Sequence, residues 1–81
     1  MFTIGLTRKS ENKFITYIRC PPNIDSNLKV IVLKDLKRLY NCNGCVDLDG
    51  QVKVSGDRRE AIRNYLTEIH NVNINEITII E

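Results

Sequence analysis

Cys42 and Cys45 stand in the run Y-N-C-N-G-C-V, and a C-x-x-C pair of thiols can do two kinds of chemistry. It can supply half of a tetrahedral zinc site, or it can act as a redox dithiol. Structural zinc needs four ligands, and beyond this pair the chain offers only Cys20 and the lone His70, with no second knuckle at a recognisable spacing. A redox pair works at a helix N-terminus, where the dipole lowers the thiol pKa. Cys42 and Cys45 fall instead where a helix is expected to end and a strand to begin. Both therefore read as small, half-buried packing at a helix-to-strand junction, and no metal is expected. Nucleophilic chemistry has as little support. Ser10, Ser26 and Ser55 carry no elbow signature, and His70 is the one histidine available as a base. Gly44, Gly50 and Gly56 are too widely spaced for a phosphate loop, and no carboxylate pair stands out. The sequence reads as a non-enzyme without a cofactor.

Cationic residues give a stronger signal. Arg8, Lys9 and Lys13 crowd one short connection, and Lys34, Lys37 and Arg38 recur at a spacing that puts them on one side of a helix. Such clusters can neutralise the phosphates of a nucleic acid, with affinity that falls as salt rises; a solvated helix face is the alternative reading. All twelve Lys and Arg lie in residues 1–63 beside seven acids, whereas residues 64–81 hold three acids and neither Lys nor Arg. The formal net charge of +2 thus hides a basic part and an acidic end. No strand carries the paired aromatics of an RNA-recognition motif, and Tyr17 alone is no stacking platform, so any RNA reading would be of backbone and shape.

These residues must be positioned by a small fold, since 81 residues suffice for one domain. The longest purely apolar run, Val30-Ile31-Val32-Leu33, is far short of a membrane span. MFTIGLTRKS lacks the basic and apolar regions of a signal peptide. An odd cysteine count argues against a disulfide framework, so a reducing, cytoplasmic setting is expected.

Phe2, Ile4 and Leu6 alternate with Thr3, Gly5 and Thr7, which predicts a strand over 2–7; the β-branched and aromatic run 13–19 predicts a second, joined to the first by Arg8–Asn12. Pro21-Pro22 ends the pairing. A helix from a cap at Asp25 or Ser26 to about Tyr40 would bury Leu28, Val32, Leu33, Leu36, Leu39 and Tyr40, with Asn43-Gly44 closing it. Val30 and Ile31 flank its basic side, an arrangement suited to contact with a protein partner. Asp49-Gly50 between two short alternating runs predicts a hairpin with a type I′ turn. Asp57 with Glu60 has the spacing of a capping box for a second helix, about 58–70. That helix would bury Ala61, Ile62, Tyr65, Leu66 and Ile69, with Arg59, Arg63 and His70 along one edge. E-I-T-I-I supplies a last strand. The order β-β-α-β-β-α-β gives an α+β fold: one mixed five-stranded sheet with two helices on one face and a split-βαβ character.

The stretch Y-N-C-N-G-C-V … V-K-V-S-G-D-R-R resembles the signature of the translation initiation factor one (SUI-domain) family, whose pattern runs F-A-C-N-G-(T/N)-V, a hairpin, then I-Q-L-Q-G-D-Q-R and a helix. Cys42, Asn43, Gly44, Gly56, Asp57 and Arg59 match it, and Cys45 falls on a variable polar position, which makes the C-x-x-C an accident of spacing. The resemblance extends to nearly the whole chain, so residues 1–81 are expected to form a single domain of this type. F-T-I-G-L-T-R-K-S-E-N-K-F-I-T-Y-I is similar to the family's first hairpin, whose tip reads N-G-R-K-T. Lys13 matches the tip lysine, while Ser10, Glu11 and Asn12 replace Asn-Gly-Arg. Arg58 replaces the usual Gln. The long N-terminal tail of eukaryotic members is missing and the second hairpin is short, as in archaeal and bacterial relatives, so a divergent, minimal or viral member of the family is expected.

The resemblance implies a fold, a job and partners. Arg8, Lys9, Lys13, Lys34, Lys37, Arg38, Asn43, Gly44, Arg59 and Arg63 would contact small-subunit ribosomal RNA. Asp57 matches a residue that the family links to start-codon stringency, with Arg58 beside it. The protein would act as a monomer near the P site, with other initiation factors and the initiator tRNA complex as partners and no membrane. It would hold the complex open for scanning and leave on correct codon–anticodon pairing, a binding switch driven by differential affinity for the open state. A ribosome-binding modulator or recycling factor of the same fold, and a protein-interaction module that uses Val30 and Ile31, are the alternatives.

Overall fold

Strand pairing begins at once. In a computed structural model that describes residues 1–80, β1 (Phe2–Ser10) and β2 (Lys13–Arg19) pair antiparallel, with Ile4 opposite Ile18 and Leu6 opposite Thr16. β1 runs three residues beyond the expected strand, and the turn shrinks to Glu11-Asn12. The register shifts between Arg8 and Ser10. The Arg8 side chain stabilises this bulged tip, donating from Nε to the Ser10 carbonyl (3.3 Å) and from Nη2 to that of Glu11 (3.0 Å).

After Pro21-Pro22 the helix α1 (Ser26–Tyr40) is capped by Asp25, whose carboxylate accepts from the Asn27 N–H at 3.0 Å. Its end differs from the expectation. Asn41, in the left-handed region at φ 48°, closes the helix, and the N–H groups of Asn41 and Cys42 both reach the Lys37 carbonyl. Asn43 and Gly44 instead lead into the next strand.

β3 (Gly44–Val46) and β4 (Val52–Ser55) form the second hairpin. Its turn is not type I′: within it only Gly50 has positive φ (80°). Gly50 N–H bonds to the Asp47 carbonyl (3.0 Å) and Asp47 N–H to that of Gln51 (2.9 Å), a three-residue loop closed by a glycine bulge. Asp47 selects it, because its carboxylate accepts from the N–H groups of Asp49 and Gln51 and pairs with Lys53 Nζ at 2.7 Å. α2 (Arg59–Ile69) starts one residue later than the capping-box spacing requires: Arg58 is the cap residue and makes no side-chain cap bond. A 3-10 turn, Ile74–Glu76, leads to β5 (Ile77–Ile79), which pairs parallel with β1. The sheet order is β3-β4-β2-β1-β5, mixed and five-stranded, as the alternation predicts.

Strand parity puts Phe2, Ile4, Ile18, Val52 and Val54 on one sheet face, and there Val32 and Leu36 of α1 and Ile62, Tyr65 and Leu66 of α2 complete the core. Leu39 and Ile69 do not join it; they are 55% and 60% exposed. Each lies in the final turn of its helix, and the wheel angle that assigned them inward says nothing of where a helix end overhangs the sheet. Gly44 sits where α1 crosses β3. A Cβ there would stand 2.5 Å from the Lys53 carbonyl oxygen and 2.9 Å from Leu33 Cδ1. Gly44→Ala is therefore expected to destabilise the protein by about 1–3 kcal/mol through overpacking against backbone, read as a lower urea midpoint at an unchanged slope.

Candidate nucleic-acid interface

Thr16 is the one fully buried polar side chain among the described residues. Its hydroxyl donates to the Gly56 carbonyl at 2.6 Å and accepts from the Arg58 N–H at 2.8 Å. With the bond from Gly56 N–H to the Phe14 carbonyl (2.8 Å), these contacts fasten residues 56–58 to β2. Gly56 has φ +89°, a conformation that favours glycine, and Arg58 folds back over it. The G-D-R-R segment is thus set by a residue forty positions upstream. Thr16 shares core-facing parity with Ile18, and a hydroxyl at such a position was the signal in the sequence.

Two adjoining concavities meet at Asp57. One, of about 780 Å³, runs between the first hairpin and the β3–β4 edge, and Lys9, Lys13, Asn43, Gly44, Lys53 and Asp57 are among its lining residues. The other lies at the start of α2 and is lined by Asp57, Arg58, Arg59 and Arg63. Most of the candidate residues are thereby brought together from four parts of the chain. Arg8 is not among them, since its guanidinium is engaged by its own turn. Lys34, Lys37 and Arg38 are exposed on α1 and line neither concavity. Sequence reasoning missed Lys53 and Phe14 in the first groove; Phe14 is an exposed aromatic there, adjacent to Lys13.

Charges within the site are organised. Arg59 donates from Nε to Asp57 Oδ1 (3.0 Å) and from Nη2 to Oδ2 (2.9 Å), which holds the Asp57 carboxyl below the usual carboxylate range. Its hydrogen bond with Lys53 similarly lowers the pKa of Asp47 and raises that of the lysine. On α1, Arg38 reaches Asp35 at 3.3 Å. Asp35 Oδ2 also accepts from the Tyr65 hydroxyl at 2.6 Å, and the Tyr65 hydroxyl oxygen lies 2.7 Å from His70 Nε2. With the hydroxyl proton directed to Asp35, the histidine contact requires a proton on Nε2. Burial, then the Asp35 carboxylate, pushes the Tyr65 phenol far up. This network joins the two helices. Tyr65→Phe is expected to lower stability by about 1–3 kcal/mol, because it strips partners from Asp35 and His70 while preserving the ring; chemical denaturation measures it.

The three cysteines are free. Cys42 packs beside the core with its thiol toward the Leu36 carbonyl (3.6 Å), whereas Cys45 is exposed on β3. Among the described residues no group of three or more His, Cys, Asp or Glu could hold a metal ion. No helix of the described residues is long and apolar enough to cross a membrane.

A mixed five-stranded sheet with two helices and cationic side chains collected at a hairpin tip, a helix face and a helix start defines a small α+β protein with a surface suited to polyanions. The family model for translation initiation factor SUI1 matches residues 1–73 of the chain, and the protein belongs to that family of translation initiation factors. No curated protein matches the chain.

Proposed function

We propose that this protein binds the small ribosomal subunit near the P site, in the cytoplasm, and promotes scanning and accurate start-codon selection. One observation supports the reading above the rest. Lys9 and Lys13 share a groove with Asn43, Gly44 and Asp57, residues far apart in sequence, of which Lys13 matches the family's hairpin-tip lysine, Asn43 and Gly44 its C-N-G run and Asp57 its G-D-Q-R run. The α1 stripe of Lys34, Lys37 and Arg38 adds a second cationic contact with ribosomal RNA. Initiator tRNA and other initiation factors would be met on the same complex, and the protein would act as a monomer by favouring the open state of the subunit. In a reconstituted initiation reaction, added protein should lower the use of near-cognate start codons relative to AUG. An unchanged ratio at saturating protein would sink the start-codon role.

A second reading, a module that binds a protein partner and no RNA, is favoured by Val30 and Ile31. These β-branched side chains are 43% and 49% exposed on α1 beside the basic stripe. The charge-reversed variant discussed below separates the two readings.

A further inference from the structure

The concavity at the start of α2 has a volume of about 440 Å³ and gathers three guanidinium groups, of Arg58, Arg59 and Arg63, with the carboxylates of Asp57 and Glu60. Asp57 and Arg59 satisfy one another through their two hydrogen bonds, and Arg59 Nη1 also donates to the Ile80 carbonyl at 3.2 Å. That pair is an internal tie between the start of α2 and Ile80, the residue that follows the last strand. It leaves Arg58 and Arg63 set against Glu60, which is exposed. The Nε–H groups of both arginines are buried and have no acceptor among the described residues. A buried charged donor without an acceptor is costly, and an anion seated in the concavity against the two guanidinium groups offsets that cost through its charge.

Arg58 is also held in place. Its backbone N–H is fixed to Thr16, and its guanidinium carbon lies 5.5 Å from the centre of the Tyr40 ring. A pre-positioned planar fork with a second arginine lining the same concavity is an arrangement that suits a phosphate group. We propose that Arg58 and Arg63 hold one phosphate group of the ribosomal RNA backbone at the start of α2. This anchor is additional to the α1 stripe and the hairpin groove, and Arg59 is not part of it. The proposal rests on the RNA-binding reading above and deepens it. The resembling family pattern has a neutral glutamine where this chain has Arg58, so the anchor goes beyond that pattern.

Two measurements separate failure of the anchor from failure of that reading. The first titrates the full chain with inorganic phosphate while observing the arginine Nε–H signals by NMR, with chloride as the ionic-strength control. The Arg58 and Arg63 signals are expected to shift together and saturate, and Arg58→Gln to abolish saturation at Arg63. Signals that do not move, or that move only as with chloride, overturn the anchor. The second follows binding to purified small subunits against salt. The double variant Arg58→Gln/Arg63→Gln is expected to weaken binding roughly tenfold and to reduce the slope of log affinity on log salt by about one. Wild-type binding with an unchanged slope in the variant overturns the anchor alone. A saturable phosphate response in a chain that does not bind subunits overturns the ribosomal source of the phosphate, and the RNA-binding reading with it.

Discussion

Thr16→Val is expected to destabilise the protein by about 2–4 kcal/mol, although the two side chains have nearly the same shape. The hydroxyl lies in a fully buried site, where it donates to the Gly56 carbonyl and accepts from the Arg58 N–H. Valine supplies neither bond, and no water replaces them where the side chain is fully enclosed. Each orphaned backbone group costs about 1–3 kcal/mol, and a methyl in place of the hydroxyl recovers only part of this. For a chain of this size the loss is a fall in Tm of roughly 8–30 °C. The variant also tests how the site is held. Residues 56–58 carry Asp57 and Arg58, so the amide signals of this segment should shift in the folded variant while those of α1 stay put. A Tm within about 2 °C of the wild type would show that the latch contributes little.

The second large effect is on binding. Replacing Lys34, Lys37 and Arg38 together with glutamate is expected to lower affinity for small-subunit RNA at least a hundredfold near physiological salt, by roughly erasing three cationic contacts and adding repulsion. Stability should change little. Lys34, Lys37 and Arg38 are exposed, and the one ion pair lost, Arg38 with Asp35, is worth about 0–1 kcal/mol at a surface. The effect should shrink as salt rises. A protein contact centred on Val30 and Ile31 would be much less sensitive. Binding to whole small subunits that is retained in the folded variant, with no affinity for their RNA alone, would therefore favour the interaction-module reading.

The sequence carried those parts of the fold that rest on local pattern. Alternation along β1 and β2, the break at Pro21-Pro22 and the apolar spacing of α1 and α2 each follow from periods of two or 3.6, and the element order is as expected. What it did not carry depends on single side chains meeting backbone. Asn41 rather than Asn43-Gly44 ends α1, since both are competent in the left-handed region and only packing chooses between them. The carboxylate of Asp47 turned a dipeptide that suits type I′ into a three-residue bulged loop. Leu39 and Ile69 satisfied the helical wheel yet stayed exposed. At the site, the charge clusters were visible one by one. Their grouping was not, because the meeting of Lys13, Asn43 and Asp57 in one groove is a product of the β4–β2 pairing, and of the Thr16 latch that no local period announces.

The most direct test of the central claim is equilibrium binding of labelled protein to purified small ribosomal subunits near physiological salt, with bulk RNA as competitor. Tight binding that survives the competitor and is lost in the Lys34/Lys37/Arg38→Glu variant is the expected result. Binding no stronger than to the competitor RNA would contradict it.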